Sequence, residues 1–168
     1  ANGKSYSEPL KVTMDPRVKT SAADLQEQYR LSKQIYDDAL KLSDEINKAS
    51  ALREQLKNRK EHAQGAGAEG VTSFEKKLDE VAGEGGRRRG RGAAPGESLG
   101  SVRGQLMILM GILQDADVAP TTQTVTAITE VQKRVPAALQ SWQTFEKQDI
   151  PAFNQQLKSA GLEGVKLE

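Results

Sequence analysis

The chain has 168 residues, 36% of them hydrophobic and only 4% aromatic, with 24 Lys and Arg against 23 Asp and Glu and no cysteine. That length supports one sizeable core, or one core plus a short appendage. A net charge of +1 provides no global field for steering nucleic acid or anionic lipid, and the lack of cysteine excludes disulfides, thiolate metal sites and a Cys nucleophile.

No apolar run approaches the roughly 18 residues of a membrane span. The longest is Leu106–Met110, resuming at Ile112 and Leu113. The chain opens on Ala1 without a signal-peptide pattern, so it reads as a mature or excised fragment of something longer.

Residues 1–16 stand outside any helical pattern. Asn2-Gly3 is a favoured tight-turn dipeptide, because both residues tolerate positive φ. Lys4–Glu8 and Leu10–Met14 read as extended, with Leu10, Val12 and Met14 alternating with Lys11 and Thr13. Pro9 assigns the run to an edge or a break, and Asp15-Pro16 ends it. One strand and half a hairpin cannot form a stable sheet, so the segment reads as a β remnant, the end of an Ig-like domain or an edge strand.

Residues 17–168 read as a helical bundle. A first helix starts near Ser21, gains from Asp24 in its first turn, and runs to about Lys60. Its apolar stripe is Leu25, Tyr29, Ser32, Tyr36, Ala39, Leu42, Ile46, Ala49, Leu52 and Leu56, which such a rod must bury against other helices. Asp37/Lys41 and Asp44/Lys48 are i, i+4 pairs on the opposite, solvated face. Gln64–Gly70 breaks the helix. Thr72-x-x-Glu75 has capping-box form, and Val71, Phe74, Leu78 and Val81 make a short second helix ending at Gly83. A flexible Gly/Arg-rich loop covers 83–97.

Ser98 caps a third helix with Leu99, Val102, Leu106, Leu109 and Leu113 on one face. Met107, Ile108, Met110 and Ile112 widen that surface, which predicts a central helix, and Gly104 and Gly111 offer close helix approach. Asp115–Pro120 is a turn, with Pro120 suited to the first turn of the next helix. Val125, Ile128, Val131, Val135, Leu139, Trp142 and Phe145 then continue a core face, and Pro136 should kink or divide it. Asp149-Ile150-Pro151 restarts a helix that holds Phe153 and Leu157 inward and stops at Gly161. The expected fold is therefore mainly α: an antiparallel up-and-down bundle of about four helices with a short N-terminal strand or hairpin remnant.

Two runs, Pro9-Leu-Lys-Val-Thr-Met-Asp-Pro-Arg-Val-Lys-Thr20 and Leu113-Gln-Asp-Ala-Asp-Val-Ala-Pro-Thr-Thr-Gln123, are similar to the C-terminal region of large secreted bacterial proteins with BNR or sortilin-type β-propellers, often labelled glycosyl hydrolase. The resemblance covers essentially the whole chain. It implies that Pro9–Asp15 resembles the last strand of a small Ig-like domain, that a helical tail follows, and that the protein is periplasmic or extracellular. The propeller, where hydrolytic chemistry would sit, has no counterpart here, so that label does not transfer. The Arg-Gly loop departs from the pattern and looks like a lineage-specific insertion.

Arg87, Arg88, Arg89 and Arg91 are the most tempting chemical signal, since four arginines in a Gly-rich strand suit phosphates or anionic head groups. RGG-type segments interleave aromatics that stack on bases, and none lies between Phe74 and Trp142, so a solvated loop is the better reading. His62, the only histidine, reads as a surface residue near a helix end. Asp37, Asp38, Asp44 and Glu45 interleave with Lys41 and Lys48 and read as a solvated face rather than an acid–base or metal cluster. No Glu-x-x-His motif supports a di-iron bundle, and Gly83-x-Gly85 lacks the strand and helix of a phosphate loop. Leu106–Leu113, Trp142 and Phe145 read as core rather than as a docking surface or ligand cage.

The expectation is a non-catalytic structural or interaction module, without cofactor or metal, docking on protein partners in a larger exported or membrane-associated assembly. Contact is expected through Leu10, Val12 and Met14 by β-augmentation, with Arg87, Arg88, Arg89 and Arg91 as a peripheral basic contact. The rivals are nucleic-acid or polyanion binding through the arginine loop, and an accessory domain of a carbohydrate-active propeller enzyme.

Overall fold

The computed structural model describes residue 3, residues 5–83 and residues 97–167. Helix α1, Ala22–His62, is a single rod of 41 residues, about 60 Å long. Ser21 caps it, accepting from the Asp24 amide at 3.1 Å and donating to the Asp24 carboxylate at 2.7 Å.

After a break at 63–65, α2 (Ala66–Ala82) runs back along the second half of α1. Lys60 pairs with Glu75 at 2.6 Å and Arg53 with Asp79 at 2.9 Å. Helix α3, Leu99–Gln114, continues in the same direction along the first half: Arg103 Nε donates to Ser43 Oγ at 2.6 Å, and Gln28 reaches the carbonyls of Leu113 and Ala116. The third rod returns alongside α1 as α4 (Thr122–Gln132), α5 (Val135–Thr144), one π-helical turn (Phe145–Asp149) and α6 (Ile150–Ser159). Gln132 meets Asp38, Trp142 meets Glu45, and Glu146 meets Lys48, so α1 and the third rod run parallel.

The expected helices and the bundle are present, but their directions differ from simple alternation. α2 and α3 point the same way and together form the one rod antiparallel to α1. Gly83 and Gly100 explain this: a Cβ on Gly100 would lie 3.1 Å from the Ala82 carbonyl and 3.9 Å from the Gly83 Cα. Gly83 and Ser98, which caps α3, therefore lie side by side in the rod.

Other differences have local causes. The expected stripe on α1 takes nine steps over 31 residues, about 3.4 per step against 3.6 per turn, so it winds about 140° around the helix. Tyr29 and Tyr36 consequently fall outside the core, and Leu31 and Ile35 occupy it with Ala39, Leu42, Ala49, Leu52 and Leu56. α2 begins five residues before Val71, so Thr72 is not a cap; its hydroxyl donates back to the Ala68 carbonyl at 3.0 Å. The cap of α4 is Thr121, with Pro120 just outside the helix. α3 is buried on one side only, since Met107, Ile108 and Ile112 are exposed.

Pro136 and Pro151 both sit in first turns, of α5 and α6, where the missing N–H is tolerated. Ahead of Pro151 the chain widens into the π turn, with the Ile150 amide donating to Phe145. Gly161 (φ 72) ends α6 with a Schellman pair: Leu162 N–H to Leu157 at 2.9 Å and Gly161 N–H to Lys158 at 3.1 Å.

The strand remnant is not formed: residues 5–15 have no regular secondary structure and, among the described residues, no strand is present. An isolated strand lacks the ladder that would satisfy its backbone groups, and no second strand is available to it.

Candidate functional site

The arm of residues 5–14 and the face of the bundle beside it carry the exposed apolar side chains. On the arm, Leu10 is 87% exposed, Val12 85%, Met14 55% and Tyr6 82%. The arm ends in a turn at Asp15-Pro16-Arg17-Val18, closed by the Val18 amide on the Asp15 carbonyl at 3.0 Å. Arg17 donates to the Asp15 carboxylate from its backbone at 2.9 Å and from Nη2 at 2.7 Å. Those bonds, the guanidinium first, hold the Asp15 carboxyl below its usual range. Thr20 then bonds the Asp117 carbonyl and fixes the root of the arm against the loop after α3.

Immediately above that root, Tyr29 and Ser32 of α1 border Gln114 and Asp117 in a small groove. Tyr36 lies seven residues after Tyr29, and Met107 seven residues before Gln114. In two antiparallel helices this repeats the same juxtaposition two turns along. Leu40 follows one turn after Tyr36. Tyr29, Tyr36, Leu40 and Met107, all exposed, thus share the α1/α3 face, where Gly104 and Gly111 have open space over them. The rhythm of the sequence picked out Tyr29 and Tyr36 but assigned them to the core, read Met107 as part of a central helix, and gave no signal for Leu40.

The other candidates do not converge. Asp37 is held by Lys33 at 2.5 Å, Asp38 by Lys41 at 3.1 Å and Gln132 at 3.2 Å, and Glu45 accepts from Lys48 and from the buried Trp142 indole, each at 2.8 Å. Each carboxylate is spent on its own neighbours. His62 lies in the last turn of α1, exposed, its Nδ1 donating to the Asn58 carbonyl at 2.8 Å. Among the described residues no three His, Asp or Glu side chains gather for a metal, and no helix is long and apolar enough to cross a membrane. Trp142 and Phe145 are core, stacked at 5.5 Å. A shallow groove of about 670 Å³ between α2 and α6 is lined by Gly67, Gly70, Phe153, Gln155, Gln156 and Ser159, without a titratable group.

Arg87, Arg88, Arg89 and Arg91 lie outside the described residues. The structure does show where their segment is attached. Gly83, at φ 90, and Ser98 meet at the flank of the bundle, where Arg53 donates to the Gly83 carbonyl and, at 2.9 Å, to Asp79.

No family model matches the chain, and neither a curated protein nor a solved structure resembles it significantly. What the protein does must follow from its own geometry.

Proposed function

We propose that the protein is a non-catalytic structural and interaction module, a bundle that holds an adhesive arm. The observation that carries this reading is the arm itself. Leu10, Val12 and Met14 alternate with Lys11 and Thr13 and are exposed, on a bundle whose core closes without them. A segment held in no regular secondary structure, with exposed apolar side chains at alternate positions, suits addition to an open sheet edge. There the backbone supplies affinity and the alternate side chains supply specificity. The resemblance of Pro9–Thr20 and Leu113–Gln123 to the tails of secreted propeller proteins favours an exported assembly, such as a parent propeller protein or a cell-envelope complex, as the place of docking.

The test is co-sedimentation with a cell-envelope fraction. Leu10→Asp/Val12→Asp/Met14→Asp should lose retention at least tenfold while its helical circular dichroism and melting temperature match the parent chain. Equal retention of both proteins would sink the arm as the docking element. Removing all four arginines (Arg87, Arg88, Arg89 and Arg91 to Ala) should leave retention unchanged. A steep loss on that change, together with a salt-dependent affinity for polyanions, would favour the basic-segment alternative instead.

A further inference from the structure

We infer that the α1/α3 face is a homodimer interface, taking the same face of a second copy in an antiparallel, two-fold arrangement. Tyr29, Tyr36 and Leu40 lie within about 40° of one line on α1, since i, i+7 and i+11 nearly coincide at 100° per residue. Met107 lies beside Tyr36 across the α1/α3 groove, as the repeat of the Tyr29–Gln114 juxtaposition requires. The exposures are 68% for Tyr29, 49% for Tyr36, 46% for Leu40 and 41% for Met107. Isolated apolar residues on a surface are ordinary; four on one face of two adjoining helices form a patch that needs a cover.

Charge decides the occupant. Lys33 and Asp37 border the line one turn apart and are bonded to each other at 2.5 Å. A two-fold axis between them, midway along the line, places Lys33 against Asp37 of the second copy and Asp37 against its Lys33. The same axis places Tyr29 over the second copy's Leu40, and Tyr36 close to the axis itself. On α3, Arg103 is turned to Ser43 at 2.6 Å, and no other residue from Leu99 to Gln114 is charged. The face is thus electrostatically self-complementary, as an isologous contact requires and a charged foreign partner does not. Gly104 and Gly111 leave room for the opposing side chains.

Area sets the strength. From Leu25 to Ser43 the face is about 27 Å long, and two helices 8–10 Å apart make it about 20 Å wide, so each copy covers roughly 550 Å². That is below the roughly 800 Å² per partner of a standard interface, which predicts a weak, readily reversible dimer. Dimerisation places two arms on one particle, their roots roughly 40 Å apart along the helix at opposite ends of the contact, so that a partner assembly with sites repeated at a matching spacing gains avidity without any new contact. This inference does not depend on what the arm binds.

Sedimentation equilibrium of the full chain from about 1 to 300 µM tests it. The average mass should climb from the monomer's 18.3 kDa towards twice that value. Tyr36→Asp and Met107→Asp should each weaken association at least tenfold, whereas Ile112→Asp, on the other flank of α3, should leave it unchanged. Lys33→Asp should weaken it, and adding Asp37→Lys should restore it. With no native cysteine, a mixture of Tyr29→Cys and Leu40→Cys chains should form the mixed disulfide in preference to either self-pair, because two copies of position 29 stand roughly 16 Å apart along the helix. A chain that stays monomeric throughout overturns the inference. So does preferential self-pairing of Tyr29→Cys, which marks a parallel contact, or an Ile112→Asp effect equal to that of Tyr36→Asp. Unchanged melting curves for the variants separate loss of association from loss of fold.

Discussion

The two halves of the bundle are built on the same rod and finished differently. In the half formed by the C-terminal part of α1 with α2, the π turn and α6, charges bridge separate elements: Arg53–Asp79, Lys60–Glu75, Lys77–Asp149, Lys48–Glu146 and Arg59–Glu163. Its core is aromatic, with Phe74 stacked on Phe153 at 4.0 Å and on Phe145 at 5.0 Å. The C-terminal residues are pinned there by two amide side chains. Asn154 exchanges bonds with Val165 at 2.7 and 2.9 Å, and Gln55 with Lys166 at 2.7 and 2.9 Å. In the other half, ion pairs stay within one helix, as in Arg30–Glu27, Lys33–Asp37 and Lys41–Asp38. Among the described residues, the exposed large hydrophobics all belong to that half, on the arm, α1 up to Leu40, α3 and Val118. One half closes on itself; the other pairs its charges locally and leaves apolar side chains exposed. Position along α1, rather than helix type, separates the cross-linked half from the half with exposed apolar side chains.

Aromatic truncation should show that contrast most strongly. Trp142 is fully buried, stacks on Phe145 and donates its indole N–H to Glu45. Trp142→Ala should cost about 3–5 kcal/mol in urea unfolding, because it opens a cavity and removes a hydrogen bond. Tyr36→Ala, on the exposed face, should fall within about 0.5 kcal/mol of the parent chain at concentrations where the chain is monomeric. Equal costs would mean that the face is covered within the monomer, and the division between the halves would collapse.

The joint between the halves is the next place to press. Gly83 holds φ 90, and a Cβ there would stand 3.0 Å from the hydroxyl of Ser98, the buried cap of α3. Gly83→Ala should therefore cost about 1–3 kcal/mol from backbone strain and a displaced cap. Hydrogen exchange should show the damage at the first turn of α3 rather than along α6. Exchange rising evenly through both halves would show them to be one cooperative unit.

Helix content was legible from residue patterns because caps and breakers act locally. Ser21, Ser98, Pro136, Pro151 and Gly161 act where their chemistry placed them. Direction was not legible, because a segment joining Gly83 to Ser98 is long enough for α3 to run either way. The contact of Gly83 with Gly100, a tertiary fact, decides it. The stripe on α1 misled for a different reason. A step of about 3.4 residues resembles a single face over two turns and drifts off it over eight. That drift is why Tyr29 and Tyr36 read as core in the sequence and stand exposed on the face in the structure. The clamps of Asn154 and Gln55 left no pattern at all, since amide side chains are common on solvated helices.

Substitutions of charge should separate the halves more gently. Arg53 is held by Asp79 and the Gly83 carbonyl across the gap between α1 and α2, and its side chain is 22% exposed. Arg53→Met should cost about 1–2 kcal/mol, between the value of a charged hydrogen bond and that of a surface ion pair. Arg30→Met, whose partners Glu27 and Gln34 lie on the same helix, should leave the melting temperature unchanged. A larger loss at Arg30 would place structural work on the face assigned to contact.

The smallest effect is the alkaline limb of stability. Lys77 bonds Asp149 across α2 and the π turn at 2.8 Å, and that hydrogen bond first, then the charge of Asp149, raises the lysine above its ordinary value. Lys33 is raised in the same direction by its bond to Asp37, within α1. For a group whose folded pKa exceeds its unfolded one, the stabilisation is complete below the unfolded value, about 10.4 for lysine, and is lost as pH climbs through the folded value. Melting temperature should therefore be insensitive to these lysines between about pH 7 and 9 and decline above about pH 10. Both side chains are solvated, so each decline should be slight and should shrink as salt is added. The comparison lies in what each decline accompanies. Lys77→Met should flatten the alkaline limb and loosen protection in the π turn, because its bond joins two elements. Lys33→Met should flatten the limb without loosening protection anywhere beyond its own turn of α1. Loss of protection in α3 on Lys33→Met would show the face-side pairs joining elements after all, and the two halves would differ in degree rather than in kind.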